Sequence, residues 1–180
     1  MKNPWETLSS KTIYNGFLGH KVRIDDVIGP SGNENEYFVV ELKDNATILG
    51  ITEDKKVVME RTWRYPIEKE ILELPVGGIE KGEESLDAAK REFKEETGYT
   101  SEDWTFLGSH FENDGFCTAR CNIFLAKNVI AGKAENCDEN ELLEVELMDF
   151  EVLRKMVEEG KIEDVRTKIA VLLAVTKGLI

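Results

Sequence analysis

Cysteine, histidine, positive charge and long apolar runs are all scarce in this chain. The three cysteines, Cys117, Cys121 and Cys137, are an odd number without a framework of spacings, which excludes a disulfide scaffold. A lone pair spaced as Cys117 and Cys121 lacks the second pair of ligands that a structural zinc site needs, so plain core or surface thiols are expected. The two histidines, His20 and His110, stand apart and read as structural rather than catalytic. Lysine and arginine number 23 against 36 acidic residues, a net charge of −13. That deficit argues against broad contact with nucleic acid, whose phosphates call for a basic surface. Small anionic ligands stay compatible if cations and a few arginines neutralise them locally. No apolar run approaches the ~20 residues needed to cross a bilayer, so no membrane segment is expected. The stretch MKNPWETLSS lacks the apolar core of a secretory signal, and a cytoplasmic location follows as the expectation.

What is present is enough for one globular enzyme-sized domain with an extension. The 180 residues are 41% hydrophobic, which suffices for a substantial core. There is no internal repeat or low-complexity stretch. Residues 1–45 are strand-rich: His20–Ile28 and Glu36–Lys43 carry β-branched and aromatic runs, separated by the turn signal Gly29-Pro30-Ser31-Gly32-Asn33. Residues 46–180 hold the expected catalytic core. Strands are predicted over Ala46–Thr52, Lys56–Arg64, Ile71–Val76, Trp104–His110, Thr118–Ala126 and Leu142–Met148. Helical spacing follows at Phe150–Glu159 (Phe150, Leu153, Met156, Val157) and Val165–Lys177 (Ile169, Leu172, Leu173, Val175). Strands flanked by helices in mixed order point to an α/β sandwich.

The most informative stretch is Gly77 to Tyr99, GGIEKGEESLDAAKREFKEETGY. Ser85 suits an N-cap, Asp87 places a negative charge in the first turn, and Gly98 suits a left-handed C-terminal stop. A helix over about Leu86–Thr97 is therefore predicted. At 3.6 residues per turn, Glu92, Glu95 and Glu96 project from one side, beside an apolar stripe of Leu86, Ala89, Phe93 and Thr97. Clustered carboxylates repel one another in water, and a hard divalent cation reverses that cost. The competing reading is a solvated acidic helix face. Against it stand Gly77, Gly78 and Gly82 before the helix, and Arg91 embedded among the acids, able to pair with Glu83 and brace the loop.

The residues Gly77, Glu83, Arg91, Glu92, Phe93, Glu95, Glu96, Gly98 and Tyr99 match every fixed position of the Nudix box, Gx5Ex7REUxEExGU with U a bulky apolar residue. The chain thus resembles the Nudix hydrolases. That likeness implies the Nudix fold, an α/β/α sandwich with a mixed sheet, here carrying an N-terminal antiparallel β extension, and a metal-dependent hydrolase of nucleoside diphosphates linked to another group. Arg61-Thr62-Trp63-Arg64-Tyr65-Pro66 and Glu70-Ile71-Leu72-Glu73-Leu74-Pro75-Val76-Gly77-Gly78 are similar to the RQYRYP…ELLELPAG stretch of ADP-ribose pyrophosphatases and related nucleoside diphosphate sugar hydrolases. Cys137-Asp138-Glu139-Asn140-Glu141 is similar to that group's late acidic loop.

The resemblance implies roles position by position. Glu92 and Glu96 would be the principal ligands of Mg²⁺, or of Mn²⁺, with Glu95 assisting and the Val76 carbonyl adding a further contact. Gly77, Glu83, Arg91 and Gly98 are structural within the motif. Arg64 would bind a substrate phosphate or the terminal ribose. Glu139 matches the loop glutamate that serves as general base, with Glu141 the competing choice. Trp63 and Trp5 are candidate base-stacking surfaces, Trp5 equally an ordinary interface aromatic. Gly115 keeps the glycine of a substrate loop whose usual proline and distal glutamate are replaced by Asp114 and Ala119, so the sugar half of the substrate is the less defined part. The implied partner is a nucleoside diphosphate sugar, ADP-ribose first, and the N-terminal strands imply a homodimer. Three rivals stay open: a nucleotide-binding module without catalysis, a structural acidic protein, and a hydrolase of modified triphosphates.

Overall fold

The computed structural model describes residues 3–16, 19–134 and 143–180. Two compact units emerge: residues 1–44 with His110–Arg120, and Asn45–Ser109 with Cys121–Ile180.

In the first unit, β1 (Glu6–Asn15), β2 (Lys21–Ile28) and β3 (Glu34–Glu41) form an antiparallel sheet in the order β1-β2-β3. The turn signal between β2 and β3 closes a hairpin in which the Gly29 N–H donates to the Asn33 carbonyl at 2.9 Å and Gly32 takes φ +80°. β1 has no alternating apolar pattern, because Ser9, Ser10 and Lys11 interrupt it, so no strand is expected there from the sequence. Its register against β2 shifts between Thr7 and Ser9 and again between Thr12 and Tyr14, irregularities typical of an edge strand. The segment around Cys117 runs parallel to β3: the Val40 N–H donates to the Phe116 carbonyl at 2.7 Å, and the Thr118 N–H to the Val40 carbonyl at 3.1 Å.

The second unit is built on a mixed sheet. Its strands are β4 (Asn45–Ile51), β5 (Lys56–Arg64), β6 (Lys69–Glu73), β7 (Val76–Gly78), β9 (Asp103–Phe111), β10 (Arg120–Lys127) and β12 (Leu143–Asp149), in the order β12-β5-β4-β10-β9 with β6 on β5 and β7 on β4. β4 and β10 are parallel; β12 and β6 both run antiparallel to β5. Two short strands, β8 (Tyr99–Thr100) and β11 (Ile130–Ala131), pair beside it; neither is long enough to show a period in the sequence. The expected strand Ile71–Val76 is instead two strands. Pro75 has no N–H for a ladder, so β6 ends at Glu73 on β5, and the chain crosses to pair with β4 from Val76.

Both faces of the sheet are covered, so β4 reads as a nearly continuous buried run. Ile48, Val58 and Phe124 face α1 (Ser85–Thr97) with Ala89 and Phe93. Leu49, Val57, Met59, Ile123 and Leu125 face the opposite side, against α2 (Phe150–Glu158) and α3 (Val165–Thr176). The result is the expected α/β/α sandwich. In α3 the buried face is Thr167, Ala170, Val171 and Ala174, while Leu172 and Val175 are exposed. Of the expected packing face, Ile169 and Leu173 are partly buried against the core, while the fully buried centre of the helix is lined by smaller side chains, which let it sit close to the sheet. Among the described residues, no helix is long and apolar enough to cross a membrane.

Candidate active site

Helix α1 carries the box, and its placement is set at both ends. Ser85 is its first helical residue rather than its cap. Glu84 is the N-cap, and its carbonyl, not its side chain, accepts from the Asp87 and Ala88 N–H groups at 3.0 Å. At the other end Gly98 takes φ +75°, and a Cβ there would lie 2.6 Å from the Ala134 nitrogen. The glycine is thus required twice, for a left-handed stop and for the close passage of residues 132–134. In between, Phe93 sits over Gly50 of β4, where a Cβ would come within 2.4 Å of its ring. Trp104 meets the Phe93 ring edge-on at 6.1 Å between centroids.

Arg91 is the hub of the acidic face. Its Nε and Nη2 donate to the two carboxylate oxygens of Glu83, each at 2.9 Å, and Nη2 also reaches the Gly78 carbonyl at 3.0 Å. The Glu80 N–H donates to Glu83 Oε2 at 2.9 Å, which closes the loop onto the helix. The Arg91 fork, helped by that N–H, holds the Glu83 carboxyl at about 2, far below its ordinary value. On its other side, Arg91 Nη1 lies 2.8 Å from Glu92 and 3.3 Å from Glu95.

Glu92 is the best-defined member of the trio. Its side chain packs against Gly77, where a Cβ would meet its Cδ at 2.1 Å. Burial pushes its carboxyl up; Arg91 opposes the rise, and Glu95 and Glu83 add to it. Glu95 and Glu96 are half-buried on the same helix, and Val76 opens β7 one residue before Gly77. Among the described residues, no three Asp, Glu, His or Cys side chains already converge on one point. The fit is instead one of donor type and placement. Hard carboxylate oxygens crowd beside a backbone stripped of its side chain, with a guanidinium as their present counter-charge.

Arg64 ends β5, where its Nε donates to Glu73 Oε1 at 2.8 Å. Trp63 beside it is 50% exposed. Trp5 lies in the other unit, edge-on to Tyr37 at 5.4 Å and packed on Gly29. Gly115, also in that unit, occupies a turn in which its N–H donates to Asn113 Oδ1 at 3.2 Å. Glu139 and Glu141 lie outside the described residues, as does Cys137. Three contributors escaped the sequence reading: Gly50, Glu73 and Arg166. Glu73 had a signal, an acid inside the apolar run Ile71-Leu72-Glu73-Leu74; Gly50 and Arg166 had none.

A model of the NUDIX domain matches residues 41–167, a span that includes α1 with its acids, the glycines on either side of it, Arg64 and Glu73, but not Trp5. The chain belongs to the Nudix family. It is 30% identical over 167 residues to an ADP-ribose pyrophosphatase of Bacillus subtilis, covering 92% of this chain and 90% of that one. It is 32% identical to a methanol dehydrogenase activator of Bacillus methanolicus, with the same 92% and 90% coverage. An ADP-ribose pyrophosphatase of Escherichia coli is 28% identical over 94% of this chain and 87% of its own. The crystal structure of an ADP compounds hydrolase superposes with a TM-score of 0.84 at 24% identity, covering 97% of this chain and 95% of the other, and shows the Nudix fold. The chain is accordingly a Nudix pyrophosphohydrolase, similar to ADP-ribose pyrophosphatases.

Proposed function

We propose that this Nudix enzyme hydrolyses the diphosphate bridge of nucleoside diphosphate sugars, with ADP-ribose its leading substrate and AMP and ribose 5-phosphate its products. The observation that carries the reading is the Glu92 carboxylate seated on Gly77 among the acids of α1. The pyrophosphatase relatives support the substrate class.

Glu92 and Glu96 would hold Mg²⁺ or Mn²⁺, with Glu95 assisting and the Val76 carbonyl as a fourth donor. When bound, the cation neutralises the diphosphate oxygens that otherwise repel a nucleophile. Arg64 binds and orients a substrate phosphate or the terminal ribose. Trp63 offers a flat surface to the base; Trp5 and Gly115 belong to the same proposal as substrate contacts. Glu139, or its neighbour Glu141, takes the proton from the attacking water as the new P–O bond forms and the bridging P–O bond breaks. Gly77, Glu83, Arg91 and Gly98 hold the frame. A homodimer through the first unit is part of the reading, supported by the exposed Leu8, Ile13, Tyr14 and Phe38 on its sheet. So is a cytoplasmic location, in keeping with the free thiols of Cys117 and Cys121.

A screen of ADP-ribose, other sugar nucleotides, dinucleoside polyphosphates and modified triphosphates, with Mg²⁺ and Mn²⁺, tests the substrate. Glu96→Gln tests the site: a loss of at least ~100-fold in kcat with an unchanged circular dichroism spectrum is expected. Full turnover in that variant would remove Glu96 from the ligand set. Activation of an alcohol dehydrogenase is a second reading, favoured by the relative from Bacillus methanolicus. Rate enhancement of a methanol dehydrogenase on adding the chain would support it.

A further inference from the structure

Among the described residues of the second unit, Glu73 is the most deeply buried carboxylate, its side chain 1% exposed, yet it meets two guanidiniums. Arg64 places Nε at 2.8 Å and Nη2 at 2.5 Å from Oε1. Arg166 donates Nη2 to Oε2 at 2.8 Å. The two arginines differ in setting: the Arg64 side chain is 40% exposed and that of Arg166 only 19%.

The Arg166 end is anchored to the fold. Its Nε and Nη2 both lie 3.0 Å from Asp164 Oδ1. Asp164 caps α3, where its Oδ2 accepts from the Thr167 N–H at 2.7 Å and from the Thr167 hydroxyl at 2.8 Å. Thr167 Oγ1 in turn accepts from the Leu74 N–H at 3.0 Å. An unbroken set of hydrogen bonds therefore joins the start of α3 to the end of β6, at Glu73 and Leu74, and on to Arg64. Among the described residues, Arg64 Nη1 makes no hydrogen bond.

An ion pair of this kind is a poor device for stability alone, since apolar residues of similar volume often do as well in a core. What it supplies is direction. A guanidinium is planar, so fixing two of its donors on one oxygen fixes where the third points. A phosphate oxygen is the ligand that such a pre-aimed donor suits, and fixing it beforehand lowers the ordering cost of binding.

We propose that Glu73, clamped from behind by Arg166, is a positioning residue that aims Arg64 at a phosphate of the substrate. The proposal rests on the reading of Arg64 as a substrate-binding residue. Arg166 then acts on binding through Glu73 without touching the ligand.

The full chain, as wild type, Arg64→Ala, Arg166→Met and the double variant, tests it in two assays. One is the KM and kcat for ADP-ribose with Mg²⁺. The other is the dissociation constant for ADP-ribose by calorimetry without metal, so that no turnover occurs. Arg166→Met should raise KM and the dissociation constant about tenfold, with kcat within about twofold, and should have no further effect once Arg64 is alanine. Arg166→Lys keeps a charge on Glu73 and should recover part of the affinity; it also serves if the methionine variant fails to fold. An Arg166→Met effect that persists undiminished in the Arg64→Ala background overturns the relay, as does unchanged affinity in both Arg166 variants. If Arg64→Ala leaves affinity unaltered, the binding role of Arg64 falls and the relay with it. If ADP-ribose binds but is not cleaved, the hydrolytic reading fails while the calorimetric series still decides the relay.

Discussion

Two arginine–glutamate contacts in this Nudix fold use the same chemistry and respond to protons in opposite directions. Glu83 sits in the loop before α1, partly open to water, and Arg91 draws its carboxyl down to about 2. Glu73 has two guanidiniums, yet burial pushes its carboxyl above the ordinary value; Arg64 and Arg166 only pull it part of the way back. The lesson is that the number of partners does not set the shift. Desolvation acts on the charged form in proportion to how much water is removed, and a half-wet pair loses little.

Removing the buried acceptor altogether should do most damage. Glu73→Ala leaves two guanidiniums facing a cavity with no hydrogen-bond acceptor, and a loss of roughly 3–5 kcal/mol in urea unfolding is expected. A loss under about 1 kcal/mol would show that water reaches this contact and would dissolve the contrast. The next effect is on catalysis. Gly77→Ala puts a Cβ 2.1 Å from Glu92 Cδ, so the carboxylate must move. With the fold kept, kcat should fall on the order of 100-fold, the cost of about an ångström of misplacement. Near-normal turnover would mean that Glu92 does not act from its present seat.

The smallest effect is the one with the clearest sign. A carboxyl lowered on folding stabilises above its unfolded value, about 4.5, and that contribution disappears as the pH falls through about 2. A carboxyl raised on folding does the reverse: its ionisation weakens the fold as the pH rises through its raised value. Glu83→Gln should therefore be less stable than wild type at neutral pH by about 1 kcal/mol, and the two should converge between pH 4.5 and 2. A constant gap across that window would assign the Glu83 contribution to packing rather than charge.

Much of the site was legible because its determinants are short-range. The spacing of Glu92, Glu95 and Glu96 and the need for glycine at Gly98 follow from helix geometry and from the φ of one residue. Both C-terminal helices were legible for the same reason, from apolar spacing. The three-stranded sheet was read only in part: β2 and β3 alternate clearly, while β1 does not. The break between β6 and β7 was readable from Pro75, yet the apolar run around it suggested one strand. Ser85 looked like a cap because serine often is one, but the backbone turned one residue earlier.

By itself, the sequence determined which helix carries the acids, where it stops and which loop glutamate its arginine can grip, since each depends on residues within a few turns of one another. Tertiary structure alone decided that Gly50 makes room for Phe93, that Ala170, Val171 and Ala174 form the most buried face of α3, and that Arg166 reaches Glu73. Gly50 and Phe93 lie 43 positions apart, and Glu73 and Arg166 lie 93 apart. The physical reason is that burial, which sets both packing space and the cost of a charge, is a property of what the folded chain brings together, and no local pattern encodes it.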